Sequence, residues 1–362
     1  MIKGLYIHIP FCKHVCFYCN FPKALYNEAL ADRYLNRLEK ELSTIEQDHF
    51  DGIYIGGGTP TALSEKQLDR LLSFIDKYSF QEFTVEINPE TFNREKAKLF
   101  KKHRVNRASI GIQSFNENLL IVMGRKHTNA DVYNTISLLR ENGIDNISVD
   151  LIYGFLNQTV AMIKEDIDKA VGLGVKHVSI YELELHEDTL FHKQGYYGAD
   201  DESNYEFYDF AIRYLNSLGY KQYETSNFAL EGFQSIHNKV YWHFEDYYGA
   251  GLGASGKIGR RYWRNTTNFV KYLSEEDVQE ITELSEEEER FEAIMMGLRL
   301  LEGIDLKDFA ERFGVDIEKH YQKAVEKNIQ EGLLCIEKGF LKPTGKGVFV
   351  LNDILLDFMD YL

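Results

Sequence analysis

The feature that most restricts the fold of this chain is a regular alternation of short apolar runs with amphipathic helical patterns. One helical pattern carries Leu35, Leu38 and Leu42 at i, i+3, i+7 spacing. Such alternation predicts an α/β fold whose parallel sheet closes wholly or partly into a barrel. Six strand–helix units fall short of the eight in a full barrel, so we expect an open, partial (β/α)6 barrel. The predicted strands are Leu5–Ile9, Gly52–Ile55, Phe83–Ile87, Arg107–Ile112, Ile147–Ile152 and His177–Leu183.

The composition changes twice along the chain, which predicts three parts. Residues 1–225 form the barrel, and residues 226–284 form a connecting region rich in aromatic residues and glycine. Ser285 precedes four glutamates, a pattern typical of a helix N-terminus. Helical patterns then cover 286–301, 306–313 and 317–331, followed by two short strand-like runs and a last apolar helix. Residues 285–362 are therefore expected to form a mainly helical, winged-helix-like C-terminal domain.

Bulk properties restrict where the protein works and what it binds. A net charge of −16 repels phosphate backbones and argues against nucleic acid as a partner. The sequence contains no run of about 20 apolar residues, the length needed to cross a bilayer. Its N-terminal segment is too short and too strand-like for a signal peptide. Three of the four cysteines lie within eight positions, which suits a metal site in a reducing cytosol better than a disulfide framework.

Polar residues stand at or near the ends of the predicted strands. The cysteines follow the first strand, and Gly56–Gly58 with Thr59 follow the second. Glu86, Gln113 and Asp150 lie at or near the ends of the next three strands. Since parallel barrels place their sites at the carboxyl ends of their strands, these groups should converge on one mouth.

The cysteine motif is Cys12-x3-Cys16-x2-Cys19. Three thiolates on one loop can hold a four-iron cluster and leave one iron open. The alternative is zinc, with His8 or His14 completing a Cys3His site, but no second cysteine pair exists and the spacing is unusual for zinc. Cys335 is distant, and its simplest interpretation is an apolar packing residue. The pattern therefore favours an iron–sulfur cluster over zinc.

Eight motifs occur in a specific order between residues 6 and 243. They are YIHIPFCKHVCFYCNF, IGGGTPT, VEINPE, SIGIQSF, MGRKH, DLIYG, YETSNFA and HNKVYWH. Together they resemble the HemN/HemW group of radical-SAM proteins, and the resemblance runs from residue 4 to about residue 350. The resemblance implies a [4Fe–4S] cluster on Cys12, Cys16 and Cys19, whose open iron accepts S-adenosylmethionine. It further implies that this cofactor contacts Tyr6, Tyr18, Gly57, Gly58, Thr59, Glu86, Gln113, Arg125 and Asp150.

Two features indicate which branch of the group the chain resembles. The coproporphyrinogen III dehydrogenases carry a fourth cysteine where this chain has Phe21, and they have a longer segment before the cluster. The heme chaperone branch carries an HNxxYW motif, present here with His237, Asn238, Tyr241 and Trp242. Histidine can ligate heme iron and aromatic faces can pack on a porphyrin, while Asn238 could orient the imidazole. The alternative is that these four residues only pack in the core.

The resemblance thus predicts a heme chaperone that passes heme to acceptor hemoproteins, including respiratory enzymes at the membrane. Its expected location is the cytoplasm, with peripheral contact at the inner face of the membrane as a second option. A coproporphyrinogen III dehydrogenase is the first alternative function. An RNA-modifying radical-SAM enzyme is a weaker alternative, because the acidic charge argues against it.

Overall fold

The computed structural model describes residues 1–276 and 278–361, and a twelve-stranded sheet dominates it. The strands are β1 (Gly4–Ile9), β2 (Phe11–Cys12), β3 (Ala24–Leu25), β4 (His49–Gly57), β5 (Ser79–Ile87), β6 (Arg107–Gln113), β7 (Asn146–Tyr153), β8 (His177–Glu182), β9 (Lys221–Gln222), β10 (Asn227–Ala229), β11 (Tyr247–Ala250), β12 (Ser255–Ile258), β13 (Arg261–Asn265), β14 (Gln279–Glu283), β15 (Ile304–Asp305), β16 (Leu334–Glu337) and β17 (Phe340–Pro343).

Helices cover the outer face of the sheet and build most of the C-terminal part. They are α1 (Glu28–Ser43), α2 (Glu65–Ser73), α3 (Arg94–Lys102), α4 (Glu117–Val122), α5 (Asn129–Glu141), α6 (Val160–Gly172), α7 (Leu190–Lys193), α8 (Asp201–Ser217), α9 (Ile236–Trp242), α10 (Phe269–Ser274), α11 (Glu286–Gly297), α12 (Leu306–Phe313), α13 (Ile317–His320), α14 (Gln322–Gln330) and α15 (Leu351–Met359). No helix in the described part of the chain is long and apolar enough to span a membrane.

The six predicted strands are present and parallel, in the order β1-β4-β5-β6-β7-β8. Their outward side chains, such as Ile53, Val85 and Ile110, are fully buried beneath the helices. Burial of this apolar layer is the main favourable contribution to folding. The predicted α/β partial barrel with a mainly helical C-terminal region is confirmed.

The sheet continues beyond the six predicted strands on both sides. β11 pairs parallel to β1, and β12 to β14 follow it as an antiparallel ribbon. At the other edge, β10 pairs antiparallel to β8 and then to β9. Much of the segment 226–284, expected to be a connecting region, therefore forms strands of the barrel sheet itself.

The C-terminal part has a hydrophobic core of its own. Ile294, Phe309 and Phe358 are buried in it, together with Phe244 from the barrel side. A three-stranded sheet of order β15-β17-β16 accompanies α11 to α15. The helical pattern predicted for 317–331 is divided at Tyr321 into α13 and α14, and the pattern predicted for 286–301 ends as a helix at Gly297.

The short helix α9 packs directly against the inner face of the barrel. A Cβ atom on Gly52 of β4 would lie only 2.8 Å from the Cα atom of His237, so glycine is needed for this approach. The buried Glu82 of β5 accepts hydrogen bonds from the Ser235 hydroxyl at 3.0 Å and from the backbone amides of Ile236 and His237, both at 3.1 Å. Two neighbouring strands thus hold the N-terminal end of α9.

We expect Gly52→Ala to destabilise the protein by about 1–3 kcal/mol, because the added methyl group meets backbone that cannot move without displacing α9. Gly172→Ala is a matched control, since a Cβ atom there meets nothing within 4 Å. That variant should remain within about 1 kcal/mol of the wild type, on the stabilised side. Urea unfolding measures both, and equal stabilities would contradict the close packing of α9 on β4.

Candidate functional site

The cysteine loop follows β1 at the carboxyl end of the barrel. Cys12 is buried in β2, and Cys16 and Cys19 are partly buried in the loop that follows. The Lys23 ammonium donates to the carbonyl of Cys19 at 2.6 Å, and the Thr59 hydroxyl lies 3.6 Å from the Cys12 sulfur. Burial, with a further contribution from Cys19 and Cys16, raises the pKa of the Cys12 thiol to about 11. Burial also raises the pKa of the Cys19 thiol, so Cys12 and Cys19 require positive charge nearby to act as thiolates.

The glycine turn after β4 packs against the backbone of the cysteine loop. Added Cβ atoms would lie 2.9 Å from the Ile9 carbonyl at Gly58 and 2.4 Å from the His8 ring at Gly57. Gly57 also has a φ of +111°, which L side chains rarely adopt. Only glycine allows the two loops to approach in this way. The backbone of the turn is therefore not covered by side chains at the mouth of the barrel.

Glu86 lies beside this turn, and Asp150 is a second buried carboxylate close enough to act on it. Glu86 accepts from the Tyr54 hydroxyl at 2.8 Å and from the Gly57 amide at 2.9 Å. Asp150 accepts from the Ser109 hydroxyl at 3.2 Å. Desolvation raises the pKa of Glu86 to about 7, with Asp150 contributing, and burial also raises the pKa of Asp150. The pair is thus suited to bind a cationic group.

Arg125 connects the cysteine loop to the ends of β5 and β6. Its guanidinium lies 3.7 Å from the Cys16 sulfur, donates to Asn88 Oδ1 at 3.1 Å and also donates to the Gly111 carbonyl. Gln113 stands at an irregularity of β6 with a φ of +70°. Tyr18 is partly buried, and its pKa is raised by burial and then by Cys16. The structure thus brings Tyr18, Gln113 and Arg125 to the same mouth.

Three rings, those of Tyr6, Tyr54 and His237, lie in a row inside the barrel and lead away from its mouth. The Tyr6 and Tyr54 ring centroids are 6.2 Å apart, and the Tyr54 and His237 centroids are 5.2 Å apart. Tyr54 therefore contacts Glu86 through its hydroxyl and His237 through its ring face. The same side chain links the mouth to the HNxxYW motif.

The imidazole of His237 is buried, and both of its nitrogens are hydrogen-bonded. Nδ1 lies 3.2 Å from the Gly52 carbonyl, and Nε2 lies 2.8 Å from the Tyr241 hydroxyl. A carbonyl can only accept, so Nδ1 carries the proton and Nε2 accepts from Tyr241. Burial lowers the pKa of His237 to about 4. Gly52 and Tyr241 thus orient this ring, which is the role expected of Asn238. The backbone N–H of Asn238 instead donates to the Ser235 hydroxyl at 3.2 Å.

Metal-binding alternatives can be compared with this geometry. Within residues 1–276 and 278–361, no group of three or more His, Cys, Asp or Glu side chains is arranged to hold a metal ion. His8 is not free to complete a zinc site, because its Nδ1 lies 3.0 Å from the Tyr6 hydroxyl and its Nε2 lies 2.8 Å from the Pro22 carbonyl. A four-iron cluster binds each cysteine through a different iron, so its ligands need not surround one ion. The three thiols, the glycine turn and Arg125 fit a cluster better than zinc.

Several residues of the site were not found from the sequence. Asn88 lies within the VEINPE motif, yet its role as a partner of Arg125 depends on the packing of β5 against β6. Tyr54 occupies an inward position of β4, where strand alternation could have singled it out. Glu82, at 3% exposure, could likewise have been noted as a charged residue beside an apolar strand.

Comparisons with known proteins identify the family of this chain. Residues 6–170 match the Radical SAM superfamily, and residues 284–350 match the HemN C-terminal domain. The Heme chaperone HemW of Lactococcus lactis is 37% identical over 99% of this chain and 97% of that protein. The Heme chaperone HemW of Bacillus subtilis is 35% identical over 100% of both chains. This chain belongs to the HemW family.

The predicted HemN/HemW resemblance and its heme chaperone branch are therefore confirmed. As a radical-SAM family, HemW proteins use a [4Fe–4S] cluster and S-adenosylmethionine. A solved structure described as coproporphyrinogen III oxidase (HemN) from Escherichia coli covers 100% of this chain and 91% of its own, with a TM-score of 0.86 and 21% identity. At that identity the likeness establishes the shared fold alone.

The raised pKa of Glu86 predicts a pH-dependent difference between the wild type and Glu86→Gln in metal-free, reduced protein. The folded protein favours the neutral carboxyl, so its contribution is fully present below pH 4.5 and is lost as the pH rises through about 7. Relative to the wild type, the glutamine variant should gain on the order of 2–3 kcal/mol across that interval. Urea unfolding at a series of pH values measures this, and a constant difference would contradict the raised pKa.

Proposed function

We propose that this chain is a heme chaperone that holds its [4Fe–4S] cluster on Cys12, Cys16 and Cys19. Heme is its cargo, which it passes to acceptor hemoproteins. The observation that carries this proposal is the full-length identity to proteins named Heme chaperone HemW, on a chain whose three cysteines share one loop. The cytoplasm is the proposed location, with respiratory acceptors at the inner face of the membrane.

The residues at the mouth have distinct proposed roles toward S-adenosylmethionine. When bound at the cluster, this cofactor supplies one-electron chemistry that opens a carbon–sulfur bond. Gly57, Gly58 and Thr59 present backbone and a hydroxyl group without bulky side chains. Glu86 and Asp150 offer negative charge to an ammonium or sulfonium group.

Four further residues complete the proposed cofactor site. Arg125, held near Cys16 and Gly111, offers positive charge to a carboxylate. Tyr6, Tyr18 and Gln113 line the barrel interior and mouth around these charges.

For the HNxxYW motif we propose different roles for its members. His237 and Tyr241 lie inside the barrel and are bonded to each other, so they organise α9 and hold it to β4. Ser235 caps the start of the same helix by accepting from the backbone N–H of Asn238. Trp242, at the last position of α9, lies where the barrel meets the C-terminal part. In this proposal Trp242 lies beside the heme, and His237 does not bind the iron.

A coproporphyrinogen III dehydrogenase is the second candidate function, since the fold matches HemN over the whole chain. The residue at the position of that branch's fourth cysteine is Phe21, an exposed side chain that cannot ligate iron. This difference favours the chaperone. RNA modification has less support, because the charge of −16 opposes binding of a polyanion.

The division of the chain is also a proposal. Residues 285–362, with their separate core, form a C-terminal domain, and residues 1–225 form the cofactor-binding part. The segment 226–284 adds strands to the barrel and carries the heme motif.

Alanine at Cys12, Cys16 or Cys19 should each abolish the cluster, because the remaining two thiolates cannot hold the cubane. Cys335→Ala is the matched control and should keep iron and sulfide at the wild-type level. Iron and sulfide content with EPR of anaerobically purified protein tests this. Stoichiometric zinc in the wild type, or cluster loss in the Cys335 variant alone, would refute the assignment.

The chaperone and dehydrogenase hypotheses predict opposite results in one paired experiment. We expect the purified, cluster-loaded protein to bind added heme and to form no protoporphyrinogen from coproporphyrinogen III with reductant and S-adenosylmethionine. Absorption spectra and chromatographic product analysis measure the two results. Formation of protoporphyrinogen without binding of heme would contradict the chaperone hypothesis and favour the dehydrogenase.

A further inference from the structure

A cavity of about 360 Å³ lies where the end of α9 meets the C-terminal domain. Five aromatic side chains line it: Trp242, Phe244, Phe309, Phe313 and Phe340. The Phe309 and Phe313 ring centroids are 4.6 Å apart with the rings tilted at 47°, and the Phe244 centroid lies 6.4 Å from that of Phe313. Ligand sites are commonly concave, apolar and of this size. The aromatic walls suit a flat apolar molecule.

His243 stands at the edge of this cavity, immediately after α9. Its side chain is 44% exposed, and its Nε2 lies 3.4 Å from a Glu302 carboxylate oxygen. A histidine that ligates iron usually has its other ring nitrogen paired with a carboxylate or carbonyl group. His243 Nε2 lies beside the Glu302 carboxylate, which leaves Nδ1 as the nitrogen for the iron, and the exposure of the ring keeps it accessible from solvent.

Trp242 adds a second sign that the cavity receives a ligand. Its indole Nε1 is buried and has no hydrogen-bond partner within the described residues. An unpaired buried N–H group costs about 1–3 kcal/mol, so a bound molecule with an acceptor would relieve it. The Arg299 guanidinium lies 5.7 Å from the centroid of the Trp242 ring and brings positive charge to the same wall.

Three carboxylates and one guanidinium line the cavity: Glu302, Asp305, Asp308 and Arg312. Glu302 faces His243, and Asp305 accepts from the backbone amides of Lys307 and Asp308 at the start of α12. Arg312 donates to the His243 carbonyl at 3.0 Å and lies 5.3 Å from the Phe244 ring centroid. Arg312, together with Arg299 beside Trp242, brings positive charge that partly offsets these carboxylates toward an anionic ligand.

We propose that the heme cargo binds in this cavity, with His243 as the axial ligand and Trp242 packed on the porphyrin. This inference rests on the proposed heme function and names its site. His237 is the contrasting candidate, because iron could reach it only after its bonds to Gly52 or Tyr241 broke. The exposed, carboxylate-paired His243 requires no such rearrangement.

Heme titration of the full chain, followed by absorption and EPR spectroscopy, tests this assignment. His243→Ala should weaken heme binding by about tenfold or more and remove the histidine-ligated spectrum. Added imidazole should restore that spectrum by entering the space left by the side chain. His186→Ala is the matched control, since His186 is 45% exposed and pairs with Glu184 at 3.0 Å. It should bind heme as the wild type does.

A second variant tests the cavity without removing a ligand. Ala293 lines the cavity, so Ala293→Phe should fill it and reduce heme binding while His243 remains. Circular dichroism confirms that each variant is folded. A spectrum unchanged by His243→Ala but altered by His237→Gln would overturn the site and leave the heme function intact. No heme binding by the wild type would instead refute the proposed function itself.

Discussion

The interior of the barrel holds buried charged side chains, and these depend on partners from neighbouring strands and from α9. Glu82 is 3% exposed and Arg107 is 2% exposed, with Glu82 Oε2 lying 3.8 Å from Arg107 Nε. A buried carboxylate without partners would be strongly unfavourable. Glu82 obtains them from the amides at the start of α9. The helix that carries the HNxxYW motif therefore supplies the hydrogen bonds that a buried carboxylate of the barrel needs.

This constraint divides the barrel into two ends with different chemistry. At the carboxyl end, burial raises the pKa values of Glu86 and Asp150, although Glu86 accepts two hydrogen bonds and Asp150 lies within the influence of Arg107 and Arg125. At the other end, Glu82 is bonded by the start of α9. The carboxylates with raised pKa values mark the end that can bind a cationic ligand, and the carboxylate bonded by α9 supports structure. The cysteine loop lies at the first of these ends.

The sequence allowed accurate prediction of whatever depends on local pattern. The six parallel strands follow from apolar β-branched runs, and the cysteine loop follows from ligand type and spacing. It did not reveal pairings between distant segments. β11 joins β1 across more than two hundred residues, and His237 bonds to Gly52, which is 185 positions away. Asn238 was expected to orient the His237 ring because it is the next residue in the sequence. The actual partners of the ring are Gly52 on β4 and Tyr241, one helical turn later in α9.

Tyr54 shows how the two ends are physically connected. Its hydroxyl donates to Glu86, and its ring stacks on His237, so it touches the proposed cofactor site and the heme motif at once. When Glu86 ionises or pairs with a cation, the hydrogen bond from Tyr54 changes in strength, because charged acceptors bind more tightly than neutral ones. Because Tyr54 stacks on the imidazole of His237, a shift of the Tyr54 ring would be felt by His237 and by α9. Since His243 follows α9 directly, only this short helix separates the proposed heme cavity from the residues that contact Glu86 at the barrel mouth.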